Sequence, residues 1–293
     1  MRIALIAAFV LALALVVPMA AQTPPPGAAG APQFAATRPI RVFIRAGIKT
    51  HGPGQHDYPQ FLADWSNVLT ERGAVVDGGL HFPSADDLAN VDVMVMYKGD
   101  AGYMTANEKA VLETFLRRGG GLVSFHDTLC GDDPAWYGNI VGGAKKHGEM
   151  NFSAGPIKYT IADPSHPIMQ GMSSFEIDDE AFFRMTWSEN PKIHVLATAP
   201  MPTTGEVVPQ IWTYERQMFG GAASAQPFRA FVWMQGHTYA NFADPKVQPM
   251  ILRGIAWAAK APVDALMTVR PARGGGGGGR GAGRGAGRQG GAN

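Results

Sequence analysis

The chain has 293 residues, 25 basic against 24 acidic side chains and a formal net charge of +1 at pH 7. That balance excludes the strongly basic surface of a dedicated nucleic-acid binder. A single cysteine, Cys130, excludes an intrachain disulfide, so the fold must rest on an apolar core, for which a 46% hydrophobic content suffices.

Met1 and Arg2 precede an apolar run over residues 3–17, followed by Pro18, Met19, Ala20 and Ala21. A positive start, an apolar centre and small residues before a polar stretch make residues 1–21 a signal peptide, and the mature protein is expected to be secreted or periplasmic. The competing reading is an uncleaved anchor, because the run approaches the ~20 residues of a membrane helix. After cleavage no stable membrane insertion is expected. Residues 22–38, rich in Pro, Ala and Gly, read as a flexible spacer.

The folded region is expected over residues 39–265. Residues 40–46 form a β-rich run, and Asp57 is placed to cap a helix over 58–72, where Phe61, Leu62, Trp65, Val68 and Leu69 recur at helical spacing before Gly73. Residues 74–77 read as a short strand, and 91–97 (VDVMVMY) as a strand buried on both faces. Thr105 with Glu108 makes a capping box for a helix that ends at Arg118 before Gly119, and 122–125 is the next strand. This alternation predicts a parallel sheet with helices on both faces. Residues 156–162, 193–199, 208–215 and 229–234 are strand-like with few helices between them, and a final helix over 245–261 gathers Met250, Ile251, Ile255 and Trp257 on one face. Residues 270–293 are almost wholly Gly, Arg and Ala and are expected to be disordered. Setting aside Arg2, Arg270, Arg273, Arg280, Arg284 and Arg288 leaves 19 basic against 24 acidic residues, a mildly acidic body. Behind a signal peptide, such a tail suits loose attraction to anionic surfaces or simple solubilisation better than RNA binding.

Five of the eight histidines fall at or near strand ends: His51 and His56 after IRVFIRAG, His126 closing GGGLVSFH, His147 in GGAKKHGE and His237 closing RAFVWMQGH. Loops beyond the carboxyl ends of parallel strands share one crevice, where ligands bind. The histidines are therefore expected to meet in one pocket, with Asp127, Asp179 and Glu180 as carboxylate partners. Imidazole serves there as acid, base or metal ligand. A metal needs three or four donors converging at about 2.0–2.2 Å, and the spacing of His51 and His56 is not a zinc signature, so a divalent ion stays open and no other cofactor is legible. His81, His194 and His166 are read as structural, the last at a turn around Pro167. Of the loop aromatics Trp136, Tyr137, Trp187, Trp212 and Tyr239, the two nearest candidate histidines, Trp136 and Tyr239, are expected to stack on a sugar face. Trp65 and Trp257 are core. Gly52, Gly54 and Asp57 read G-x-G-x-x-D, but a carboxylate at the helix start would repel a pyrophosphate. Nucleotide binding is not expected.

The segments HGPGQHDY, GGGLVSFHDT, GGAKKHGE, DPSHPIM with DDEAFF, VPQIWTYE and WMQGHTYANF before GIAWAAK, in this order, resemble the ThuA-like (trehalose utilisation) family of the class I glutamine-amidotransferase-like superfamily. The resemblance covers roughly residues 40–260. It implies a flavodoxin-like α/β fold with β-rich insertions, and a link to sugar catabolism. Glutamine amidotransferases of that superfamily place a cysteine at the turn after the central strand. Here that position matches His126, Cys130 lies four residues further on, and Tyr239 stands where a glutamate would follow His237. The chain is not expected to be a glutamine amidotransferase. The expected role is a histidine-centred carbohydrate-processing enzyme, with or without a metal, a hydrolase or lyase acting on a sugar or glycoside. His126, His237 and Glu180 would carry acid–base chemistry, and His51, His56, His147, Asp127 and Asp179 would bind substrate or a metal. The sugar link also admits an oxidised (keto) substrate with an acidic C–H. The alternative is a non-catalytic carbohydrate-binding protein on the same fold, which a shallow aromatic groove in place of a closed histidine pocket would indicate.

Overall fold

The computed structural model describes residues 38–149, 151–218 and 227–270. The expected signal peptide, nearly all of the spacer and the tail beyond Arg270 lie outside the described residues. In chain order, β1 (Arg41–Ala46), α1 (Tyr58–Glu71), β2 (Val75–Gly79), α2 (Ala85–Leu88), β3 (Val93–Tyr97), α3 (Ala106–Arg117) and β4 (Gly121–Phe125) make the first half. Then follow β5 (Cys130–Gly131), α4 (Pro134–Val141), β6 (Gly143–Lys146), β7 (Phe152–Lys158), β8 (Thr160–Ile161), β9 (Glu176–Phe182) and β10 (Thr186–Trp187). The chain closes with β11 (His194–Pro200), β12 (Val207–Arg216), β13 (Phe228–Trp233) and α5 (Val247–Ala258).

Eight strands share one sheet in the order β2-β1-β3-β4-β13-β12-β11-β8. The first five are parallel, and the last three add on antiparallel. The parallel part, flanked by helices, has the strand order of an α/β flavodoxin-like fold, in which ligands sit where the connections diverge. β3 and β4 are buried at every residue, as strands covered on both faces must be. The Thr105–Glu108 capping box forms as expected. α5 presses on β13 so closely that a Cβ on Gly254 would lie 2.2 Å from the Phe231 ring, hence glycine there.

The rest departs from expectation locally. Asp57 precedes α1 but makes no side-chain cap bond. Its carboxylate turns back instead, accepting from Gly54 N at 2.9 Å and pairing with Lys49, and so stiffens the loop that carries His56. The expected strand 156–162 is divided between β7 and β8, and β9, within the charged DDEAFF segment, pairs antiparallel with β7 as a separate ribbon. Among the described residues no helix is long and apolar enough to cross a membrane.

Candidate functional site

Two loops at the carboxyl end of the parallel strands are stitched together by their backbones. The β1–α1 loop meets the segment after β13 through a Gln55–Thr238 bridge, His56 N donating to His237 O at 3.1 Å and Tyr239 N donating to Gly54 O at 2.9 Å. This seam sets His56 Nε2 3.0 Å from His237 Nδ1 although 181 residues separate them. His126 stands at the turn ending β4, with φ +52°, and His56 has φ +47°. Each left-handed non-glycine residue costs on the order of 1–3 kcal/mol, a strain that persists where surrounding structure fixes the geometry. Gly236 (φ +134°) lets the second loop close on the first: a Cβ there would meet the Phe242 ring at 3.0 Å and His126 Cβ at 3.3 Å.

One hydrogen bond assigns the tautomer of His126. His126 Nδ1 lies 3.3 Å from Met234 O, and a carbonyl only accepts, so Nδ1 holds the proton. Its Nε2 is then a bare lone pair, buried and without a partner. His56 Nδ1 is engaged by Thr50 Oγ1 at 3.1 Å, so Nε2 is the nitrogen it turns inward to His237 Nδ1. Burial, reinforced by the neighbouring rings, pushes His56 down to about 3 and holds His237 below the usual imidazole range. Burial likewise pushes His126 down to about 4. All three are neutral at pH 7, the state in which imidazole ligates a metal. One nitrogen from each falls within 4.8 Å of the others, a set able to hold a metal ion.

Carboxyls surround this triad. Glu180 Oε2, from β9, lies 3.5 Å from His237 Nδ1 and 3.8 Å from His126 Nε2. Burial, then the nearby Asp127 and Asp179, push its carboxyl up to about 7. Asp127 reaches within 3.9 Å of both His56 Nδ1 and His126 Nε2. Asp179 sits behind His237 and accepts from His237 N (2.9 Å), Glu180 N (2.7 Å), Asn241 Nδ2 (2.7 Å) and Gly236 N (3.2 Å). Burial pushes Asp179 up to about 6, and these four donors keep it ionised at neutral pH.

Of the residues singled out in the sequence, His56, His126, His237, Asp127, Asp179 and Glu180 converge. His51 lies at the rim, exposed, with its ring 4.0 Å from that of His56. His147 does not join the triad: its Nδ1 pairs with Asp100 at 2.6 Å, near Cys130. Trp136 donates to Glu113 at 3.3 Å beneath Lys109, and Tyr239 donates to Asp64 at 2.6 Å, so both aromatic tips are engaged elsewhere. The rings against the triad are Tyr58, stacked on His56, and Phe182, stacked on His126. Cys130 is buried and its Sγ lies 3.4 Å from Asp127, and burial drives the thiol well up, the opposite of an activated nucleophile. His166 accepts from Ile168 N at 3.3 Å, the turn role expected of it. Sequence reading passed over Lys145, which is buried beside Phe182. Its signal was present in GGAKKHGE, but nothing there separates an inward from an outward lysine.

A search of curated proteins gave no significant match. Among solved structures, the chain is similar to a ThuA-like protein from Bacteroides uniformis at 17% identity and a TM-score of 0.57, covering 78% of this chain and 95% of that one. It is similar to a ThuA-like protein from Parabacteroides merdae at 20% identity and a TM-score of 0.57, covering 76% and 90%. At these identities the likeness shows the fold. The sequence profile of the ThuA family, described as trehalose utilisation, matches residues 52–258, from the first loop of the site to the end of α5, and the chain therefore belongs to the ThuA family, with a sugar-related role in general.

Proposed function

We propose that this protein is an exported carbohydrate-processing enzyme, a hydrolase or lyase of a sugar or glycoside, with a divalent metal ion held by His56, His126 and His237. The observation that carries the reading is the orphaned, fully buried His126 Nε2 aimed at two further neutral imidazoles and a carboxyl that titrates near neutrality. Imidazoles fixed through their other nitrogen by a carbonyl or hydroxyl are the usual form of metal-ligating histidine. When bound, such an ion supplies Lewis acidity to a substrate or water oxygen. Glu180, poised at about 7, is present as both acid and base at neutral pH. It can take a proton from water or from an acidic sugar C–H and return one to the leaving oxygen. Asp179 positions His237 by holding its backbone. A buried cluster of three histidines, two of them on strained backbone, favours chemistry over simple sugar binding, for which an open aromatic groove suffices. Export rests on residues 1–21, and N-terminal sequencing of native protein that begins at Met1 would refute it.

Metal analysis tests the centre. Protein purified without chelator should carry about one zinc-class ion per chain. His126→Ala and His237→Ala should each lower metal affinity at least tenfold, with turnover of disaccharides or their keto derivatives lost, and the double variant should be little worse than either single one. Full metal content in His126→Ala, or early melting with activity that tracks the folded fraction, would sink the assignment.

A further inference from the structure

Lys145, the third residue of β6, is 5% exposed. Its ammonium donates to Asn151 Oδ1 at 3.1 Å and stands 4.4 Å from the centre of the Phe182 ring, on which His126 stacks. Among the described residues no carboxylate lies within ion-pair distance of it, and its ammonium makes no hydrogen bond besides the one to Asn151. Asn151 is 1% exposed, and its Nδ2 is likewise buried without a partner. A buried cation that spends only part of its donor capacity costs several kcal/mol, which a site retains when a ligand restores the missing interaction. Preorganised donors of this kind, held in buried surroundings, are suited to a negatively charged oxygen.

We propose that Lys145 and Asn151 form a carboxylate subsite beside the histidine triad, so that the sugar this centre takes is an acidic one. The assignment rests on the sugar-directed reading above. It refines that reading by charge: the hydroxyls of a neutral sugar can accept from both donors but leave the ammonium's charge unmatched. The Phe182 ring holds the ammonium from one side and Asn151 Oδ1 from another. Lys145 is thereby fixed as a donor before any ligand arrives.

The test uses the full-length protein in calorimetric titrations with D-gluconate, D-glucose and acetate, with zinc and in parallel with chelator, so that ligation of the metal by a carboxylate is separated from the subsite. Loss of a charge-assisted hydrogen bond corresponds to about a ten- to hundredfold change in affinity. Gluconate should bind at least about tenfold tighter than glucose under both conditions, and Lys145→Met should bring the two within about twofold. Because it removes an incompletely paired buried charge, Lys145→Met should melt no lower than the wild type. Asn151→Ala, which keeps the cation, should weaken the preference part of the way and serves as the deciding variant if Lys145→Met fails to fold. A gluconate preference that survives Lys145→Met overturns the subsite, as does a lowered melting temperature in Lys145→Met with an unchanged preference in Asn151→Ala, the mark of a lysine whose charge only offsets those of Asp127 and Glu180, both of which feel it at longer range. Acetate binding that depends on Lys145 without any gluconate binding would sink the sugar reading and leave the subsite standing. No binding of either anion overturns the subsite itself.

Discussion

At the scale of single residues, the superfamily's usual nucleophile position is occupied by His126, and Cys130 is left as a neighbour of Asp127 with a thiol driven well up by burial. Cys130→Ser keeps a small donor beside Asp127 and should leave metal content unchanged and activity within about twofold, since no base is placed to activate the sulfur. Complete loss of activity in a folded, metal-loaded Cys130→Ser protein would revive a cysteine mechanism. Asp179 is more demanding. Four donors converge on its carboxylate, and an amide at that position would turn an N–H group toward N–H groups. Asp179→Asn is expected to cost about 1.5–3 kcal/mol in denaturant unfolding and to loosen His237, lowering metal affinity as well. A variant as stable as the wild type with normal metal affinity would show that the backbone of the 236–237 turn holds itself.

At the scale of elements, the site is made by a seam between two loops, and Gly236 permits that seam. Its φ of +134° strains any L side chain, and a methyl group there would sit 3.0 Å from the Phe242 ring, which would have to give way. Gly236→Ala should therefore destabilise by about 1–3 kcal/mol and reduce metal occupancy, because the strain is relieved by moving the loop that bears His237. Intact occupancy with only lowered stability would mean that the seam tolerates displacement. The elements differ in how far the sequence disclosed them. VDVMVMY and GLVSF are apolar enough to read as strands buried on both faces, and with them the placement of His126. β9 was hidden because Asp178, Asp179 and Glu180 interrupt any apolar alternation, and two of these acids face the site. That charge is what makes the strand useful and also what disguises it. His51 and His56 were equally eligible in sequence; only the seam with Thr238 and Tyr239 decides which turns inward. Tyr239 was misleading for the same reason, because nearness to His237 in sequence does not stop its hydroxyl from reaching Asp64 on α1.

At the scale of the whole molecule, the parallel strands and α5 were legible because burial on both faces writes itself into composition, whereas the antiparallel additions depend on partners far away in sequence. Global stability also carries a pH signature that can be assigned to one residue outside the site. His166, in the DPSHPIM segment, packs near Trp257 with ring centroids 5.7 Å apart and accepts from Ile168 N. Burial, then the neighbouring His194, pushes it from 6.5 down to about 4. Above pH 6.5 neither the folded nor the unfolded chain protonates this ring, so its contribution is fully present. Between about 6.5 and 4 the unfolded chain binds a proton that the folded chain refuses, and stability falls as the pH falls. Below about 4 both states are protonated and the loss stops growing. His166→Asn retains an acceptor for Ile168 N and removes the titration. Urea unfolding of both proteins at stepped pH should give parallel stabilities above pH 6.5 and a wild type that loses more than the variant between 6.5 and 4. The buried carboxyls and the site histidines titrate in both proteins and cancel in that difference. Curves that stay parallel down to pH 4 would show that the ring is solvated enough to protonate in the folded state, and that its role at the turn does not depend on neutrality.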